Sequence, residues 1–413
     1  MLSKECGASI PRYKLGNAMT DEELTIRVQP VLHEVFDDAV PELLSSFRTG
    51  KSVAGRFRLN GKNAPESVFV KLIPDAAASG IRLDSFRNEI TAYRVFASIP
   101  EVAAMTPRML GYDLASRCLV LEDLGVPVGP NTSDLLNGSD PDAALCSLKH
   151  GVAQAATMHG ATSSSARRFK ALRQELGGPA INERAFEDPW PHAKLASISE
   201  EELIAAITAY KDVCRAASVS PAKGIDDEIA DIARRVESDP GEWLAICKGD
   251  QNLAGDFILT ERGPILCDFD AAGARHLFLE GMPARLTWGC MMRMPGSIVE
   301  YLDGIYQTEL ARWLPIAGDP LSCRQAMADA GARWHIFHVN SRLSEALGLE
   351  RPRGPSTLRQ QTSAWMAAFV QIHEVTGHHP ALARTAKLLT ERLTQIWTEE
   401  QITLPVYPAF AIG

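Results

Sequence analysis

The apolar spacing of this 413-residue chain changes period twice, and no other feature constrains the fold as much. Behind the start signal Thr20-Asp-Glu-Glu, residues Leu24, Val28, Leu32 and Val35 recur at helical spacing. From about Leu43 the spacing shortens to that of a strand. Segments 45–50, 53–59 and 67–73 read as three strands, with Thr49-Gly50-Lys51 and Asn60-Gly61-Lys62 as the turns. Asp84 to Phe96 reads as an amphipathic helix capped by Asp84. Segments 107–112 and 117–124 read as two further strands, and Gly125-Val-Pro-Val-Gly-Pro130 breaks the pattern. Helices dominate beyond it, at 140–159, 200–217, 225–237 and most of 277–413. The implied fold class is α+β and bilobal, with a small antiparallel sheet and a large, mostly helical part. The expected divisions are an N-terminal extension (1–37), a sheet lobe (38–125), a helical core (126–276) and a helical subdomain (277–413).

Composition narrows the partners. Hydrophobic residues make up 46% and charged residues 23%, as in ordinary globular proteins. The net charge of -9 argues against nucleic acid as the main partner, because a phosphate backbone needs a basic surface. No run approaches the roughly 20 apolar residues of a membrane helix, so no membrane partner is expected. The N-terminus is charged and lacks an apolar signal core, and the eight cysteines are scattered without CxxC spacing. A cytoplasmic location is the expectation.

The helical part is interrupted at 244–270. Ile246 to Leu259 and Ile265 to Asp270 read as two apolar segments joined by a turn, with Asp250, Asp256, Asp268 and Asp270 at their edges. Carboxylates on loops beside short strands suit magnesium-dependent phosphoryl transfer. One orients a hydroxyl nucleophile and others hold the metal. Upstream, Lys71 ends the strand Val68-Phe-Val-Lys71, where its amine points into a cleft or into solvent, and Glu89 lies on the following helix. An amine on nucleotide phosphates, held by a carboxylate, fits that order. The turn at Gly50 offers backbone amides that can cradle phosphates, although it lacks the GxxxxGK[ST] pattern.

Taken together, the segments resemble the aminoglycoside phosphotransferase and choline kinase-like family, a branch of the protein-kinase-like fold. Val68-Phe-Val-Lys-Leu is similar to its third-strand lysine segment, and Phe86 to Phe96 to its glutamate helix. Leu119-Val-Leu-Glu-Asp-Leu-Gly is similar to its hinge strand, Ala153 to His159 to the helix before its catalytic loop, and 248–259 with 265–270 to that loop and the metal aspartate. The resemblance covers roughly residues 40–280. It implies a catalytic base at Asp250, magnesium on Asp268 and a phosphate-holding pair Lys71–Glu89. It also implies nucleotide contacts at Gly50, Glu122 and Leu124, and an accessory carboxylate at Asp270. Two positions depart from the family. Lys248 replaces the histidine of His-Gly-Asp, where it could add charge beside the transferring phosphate. Asp256 takes the place of the family's metal-binding asparagine, with Asn252 as the alternative ligand.

The implied activity uses ATP (or GTP) and magnesium to phosphorylate a hydroxyl group of a small molecule. A serine/threonine kinase acting on a peptide is one alternative, and a pseudokinase that binds nucleotide or a partner protein is the other. Trp190, Trp288, Trp334, Glu280 and Glu345 are candidates for the acceptor pocket. His335 and His338 read as a packed or substrate-facing pair. His373 to His379 lacks the spacing of a zinc helix, and Gly377 marks a helix end. Ser163 to Lys170 reads as a solvated loop.

Overall fold

The computed structural model describes residues 19–37, 39–48, 52–74, 80–178, 200–249 and 257–411. Gly50, Trp190, Asp250, Asn252 and Asp256 lie outside them. The α+β, bilobal expectation holds. Helix α1 (Asp21–Val35) opens on a capping box in which Thr20 and Glu23 satisfy each other's backbone amides. Strands β1 (Val40–Arg48), β2 (Val53–Asn60) and β3 (Ser67–Leu72) follow, then helix α2 (Gly80–Phe96) and strands β4 (Met109–Asp113) and β5 (Cys118–Glu122). They form one antiparallel sheet in the order β1-β2-β3-β5-β4. β1 starts earlier than its sequence pattern suggests because a register shift between Leu43 and Ser45 breaks the alternation there. α2 begins four residues before the expected cap. Asp84 lies inside it and pairs with Arg87 and with Arg173, both at 3.3 Å.

The two faces of this sheet bury different things. Val68, Val70 and Leu72 of β3 pack with Phe57, Val120 and the α1 residues Leu24, Val28 and Leu32. Phe69 belongs to the opposite face, which packs toward Phe86, Ile90 and Tyr93 of α2. The period of two therefore also sends Lys71 to the α2 side.

The remainder is mostly helical. α3 (Pro141–Thr162) starts at Asp140, which caps it by accepting from Asp142 and Ala143 amides. The stretch expected as a loop at 163–170 is instead a short turn leading into α4 (Ala166–Glu175), because Ala166, Phe169 and Leu172 bury one face. α5 (Glu200–Ala216) and α6 (Ile225–Ile232) follow, and the chain continues past Ile232 as a widened turn to Ser238. The interruption at 244–270 differs from the simple pair expected. β6 (Leu244–Cys247) pairs with β9 (Gly273–His276), while β7 (Phe257–Thr260) pairs with β8 (Gly263–Leu266). The two aspartate-bearing loops thus leave from different ladders. α7 (Gly296–Ala311), α8 (Pro320–His338), α9 (Leu358–Thr376) and α10 (Pro380–Ile396) complete the chain, and Gly377, at φ 75°, ends α9. No described helix is long and apolar enough to cross a membrane.

His276, His335 and His338 are packed into this core. His335 meets the Tyr210 hydroxyl at 2.8 Å and stacks on Phe369. His338 lies flat on Trp365 with ring centres 3.5 Å apart. Neither is a surface ligand, which agrees with the packed reading. Burial lowers His276 to about 4, against the opposing pull of Asp329, and His335 to about 3. Their folded pKa values lie below the ordinary 6.5, so the unfolded chain takes up protons first. Stability is full above about pH 6.5 and is lost toward pH 3–4, by roughly 1.4 kcal/mol per pH unit for each ring. Glu89 and Asp303, pushed up by burial to about 7 and about 6, take up protons in the folded chain over the same range and oppose this loss. The measurement is therefore a comparison. Between about pH 7 and about pH 5 the urea midpoint of His335→Phe should fall less, or rise more, than that of the wild type; equal changes in the two would contradict the assignment.

Candidate active site

Lys71 ties the sheet lobe to the helical lobe. Its Nζ lies 2.7 Å from Glu89 Oε2 on α2 and 2.6 Å from Asp268 Oδ1 on the loop after β8. Glu89 is 2% exposed, whereas the Asp268 carboxylate is 52% exposed. One partner is thus a fixed anchor and the other opens toward solvent. Burial by itself would lower the Lys71 ammonium. Glu89, Asp268 and Asp270 overcome that, so its pKa is raised and the amine stays charged. Burial pushes Glu89 up to about 7, a rise the lysine limits.

The Asp268 loop is held by the residue between its two aspartates. Phe269 is fully buried, edge-on to Tyr93 at 5.4 Å and to Phe96 at 4.9 Å, both on α2. Asn88 Nδ2 donates to the Asp270 carbonyl at 3.3 Å. With Phe269 turned inward, Asp268, at φ 60°, presents its carboxylate outward. Asp270 is half-buried beside Lys71, close enough to raise its pKa.

Lys248 occupies a different place from the one expected. It is 2% exposed, and its Nζ donates to the Asp268 main-chain carbonyl at 2.7 Å. Its amine also lies 5.8 Å from the Phe269 ring centre. An ammonium so engaged supports the aspartate loop instead of reaching toward a phosphate.

Glu280, expected as an acceptor contact, is used internally. Its carboxylate accepts from the Lys248 amide at 2.8 Å and from the Gly249 amide, immediately before Asp250. His159 Nε2 lies 3.2 Å from it, and His159 Nδ1 meets the Tyr306 hydroxyl at 2.6 Å. Burial would raise the Glu280 carboxyl, but His159, Arg275 and the backbone donors hold it below the usual range. His159, Cys247 and Glu280 offer atoms close enough for a metal. The backbone donors already occupy the carboxylate, and burial keeps Cys247 a thiol, so the cluster reads as a support for the loop. The sequence showed His159 only through the pattern of its helix, and it gave no sign that Glu280 would turn inward.

At the hinge, Glu122 accepts from the Arg108 amide at 3.2 Å and pairs with Arg262 at 3.3 Å. Asp123 takes the Arg56 fork at 2.9–3.0 Å. Leu124 follows with backbone groups that bond to no other described residue. Of the other acceptor candidates, Trp288 is buried, Trp334 donates to the Leu279 carbonyl at 2.9 Å, and Glu345 pairs with Arg351 at 2.7 Å.

No protein-family model matches this sequence, and neither does any curated protein. Solved structures do. An ethanolamine kinase from Plasmodium vivax gives a TM-score of 0.43 at 10% identity, covering 87% of this chain and 91% of that one. A choline kinase from Cryptosporidium parvum gives 0.41 at 8%, covering 90% and 94%. An aminoglycoside phosphotransferase from Alicyclobacillus acidocaldarius gives 0.38 at 11%, covering 88% and 95%. These neighbours have the protein-kinase-like fold. At such scores the likeness assigns no chemistry to this chain.

Gly249, at the end of the strand leading to Asp250, tolerates no side chain. Its φ is 90°, and a Cβ there would run into the Ala271 carbonyl. Gly249→Ala should cost roughly 1–3 kcal/mol in backbone strain alone, before any displacement of the Asp268–Ala271 loop. Thermal unfolding checks this, and an unchanged midpoint would mean that the two loops do not approach as closely.

Proposed function

We propose that this protein is a magnesium- and ATP-dependent phosphotransferase acting on a hydroxyl group of a small molecule. The observation that carries the reading is Lys71 held between buried Glu89 and open Asp268. A surface ion pair does not need a lysine shared between a helix carboxylate and a loop carboxylate from opposite lobes. A phosphate-binding cleft does.

The donor set suits a hard cation, since Asp268 and Asp270 offer carboxylate oxygens on a loop pinned by Phe269. A magnesium ion bound there supplies the charge that neutralises the phosphate oxygens. Asp256 or Asn252 completes its ligands. Glu89 keeps the Lys71 amine aimed at the α- and β-phosphates. The hinge at Glu122–Leu124 meets the base through backbone groups, and Gly50 covers the phosphates. Asp250 orients the acceptor hydroxyl and takes its proton, so that the oxygen attacks in line. Lys248 and Glu280 act through others: one holds the Asp268 carbonyl, and the other fixes the amides leading into Asp250.

Nucleotide binding and transfer separate the roles. Asp250→Ala should abolish transfer while magnesium-ATP still raises the unfolding temperature. Lys71→Met should weaken nucleotide binding itself, by about tenfold or more. Full transfer activity in both Asp250→Ala and Asp268→Ala would refute the site. Removing magnesium by chelation should abolish the nucleotide-dependent stabilisation; a shift that survives chelation would speak against the metal assignment.

A further inference from the structure

Between Arg342 and Arg359 the chain carries four arginines and two glutamates, an excess of positive charge in a protein of net charge -9. Glu345 pairs with Arg351 at 2.7 Å and lies 3.9 Å from Arg342, while Glu350 lies 3.1 Å from Arg359, an ion-pair contact without hydrogen-bond geometry. Arg353 has no ion pair among the described residues, and its Nη1 is buried without a hydrogen-bond acceptor. A buried donor left unpaired is destabilising.

The surroundings fix where this guanidinium sits. Arg353 lies on a two-residue hairpin, Pro352–Arg353 against Ser356–Thr357, turned by Gly354 at φ 64°. Gln361 Nε2 donates to its carbonyl at 2.8 Å. Its guanidinium carbon is 5.5 Å from the Trp365 ring centre. That ring is itself fixed by His338 stacked on it and by its bond to Leu286. Burial, with Arg342 and Arg351 nearby, lowers Arg353 to about 10. A water would satisfy the donor but leave the like charges facing each other. An oxyanion answers both, and the planar fork of an arginine takes one bidentately.

We infer that Arg353, with Arg342 beside it and Trp365 as a platform, forms a binding site for a phosphate- or carboxylate-type oxyanion. It uses none of the residues of the Lys71 cleft. The site would hold a free anion or an acidic group of a larger ligand.

Thermal unfolding of the intact chain tests it. Sodium phosphate and sodium succinate are each titrated against sodium chloride at matched ionic strength, with wild type, Arg353→Met, Arg353→Gln and Lys71→Met. Wild type and Lys71→Met should show a saturable rise with one or both anions, and the effective anion identifies the chemistry. Both Arg353 variants should need about tenfold more anion or fail to respond. In chloride alone they should unfold at the wild-type temperature or above it, since a repelled, unpaired cation has been removed. The proposal falls if wild type responds to neither anion, or if the response survives in both Arg353 variants. It falls equally if Lys71→Met abolishes the response, or if both Arg353 variants are markedly less stable in chloride.

Discussion

A lysine amine shared by two carboxylates from different parts of the chain is the interaction on which this structure turns. Lys71, Glu89 and Asp268 bring together β3, α2 and the loop after β8. Such an arrangement is poor value as a stabilising device. Burying the Glu89 carboxyl is costly, which is why its pKa climbs to about 7. Removing one partner of a buried pair typically costs about 3–5 kcal/mol, because a charge is left unmatched. Replacing such a pair by apolar residues is often neutral or favourable. Retaining it points to use of the charge itself.

The cluster is kept in place by neutral packing and backbone bonds. The alternation of β3 sends Val68, Val70 and Leu72 toward α1 and leaves Lys71 facing α2. Phe269 wedges between Tyr93 and Phe96, fixing the two aspartates that flank it. Lys248 ties the carbonyl of Asp268 to the strand that leads into residue 250. Glu280 secures the same strand end through the amides of Lys248 and Gly249. The end of β6, with Lys248 and Gly249, and the loop after β8 are thereby held to each other, and the latter to α2.

Much of this was readable in the sequence, for identifiable reasons. β2, β3, β5, α2 and α3 have strong periods and short turns, so local pattern and tertiary structure agree. Lys71, Glu89 and Asp268 are far apart in sequence, yet each belongs to or borders a strong element: Lys71 near a strand end, Glu89 within a helix and Asp268 just past a strand. What escaped depended on contacts that no local pattern records. β9, Gly273–His276, has no alternation of its own and is a strand only because β6 pairs with it. α4 looked like a polar loop because its three arginines and one lysine mask the buried Ala166, Phe169 and Leu172. Nothing in the charge of Lys248 or Glu280 distinguishes an outward-facing group from one bonded to a backbone carbonyl or amide.

The same reasoning explains why the acceptor is the least readable part. The acidic and aromatic residues that stood out between 277 and 411 are largely committed to structure. Glu280 is bonded to backbone amides, Glu345 to Arg351, and Trp288 is buried under Tyr407, whose hydroxyl meets its carbonyl at 3.0 Å. A carboxylate whose oxygens already accept two amides has little potential left for a cationic ligand. Charge alone therefore gives these positions no preference for a polyamine-like acceptor. Within 342–359 the excess charge is positive, around the Arg353 guanidinium, which has no ion pair among the described residues. Recognition built on that surface would favour an acidic group, which is the opposite of what an acidic protein with a kinase-like cleft suggests from composition.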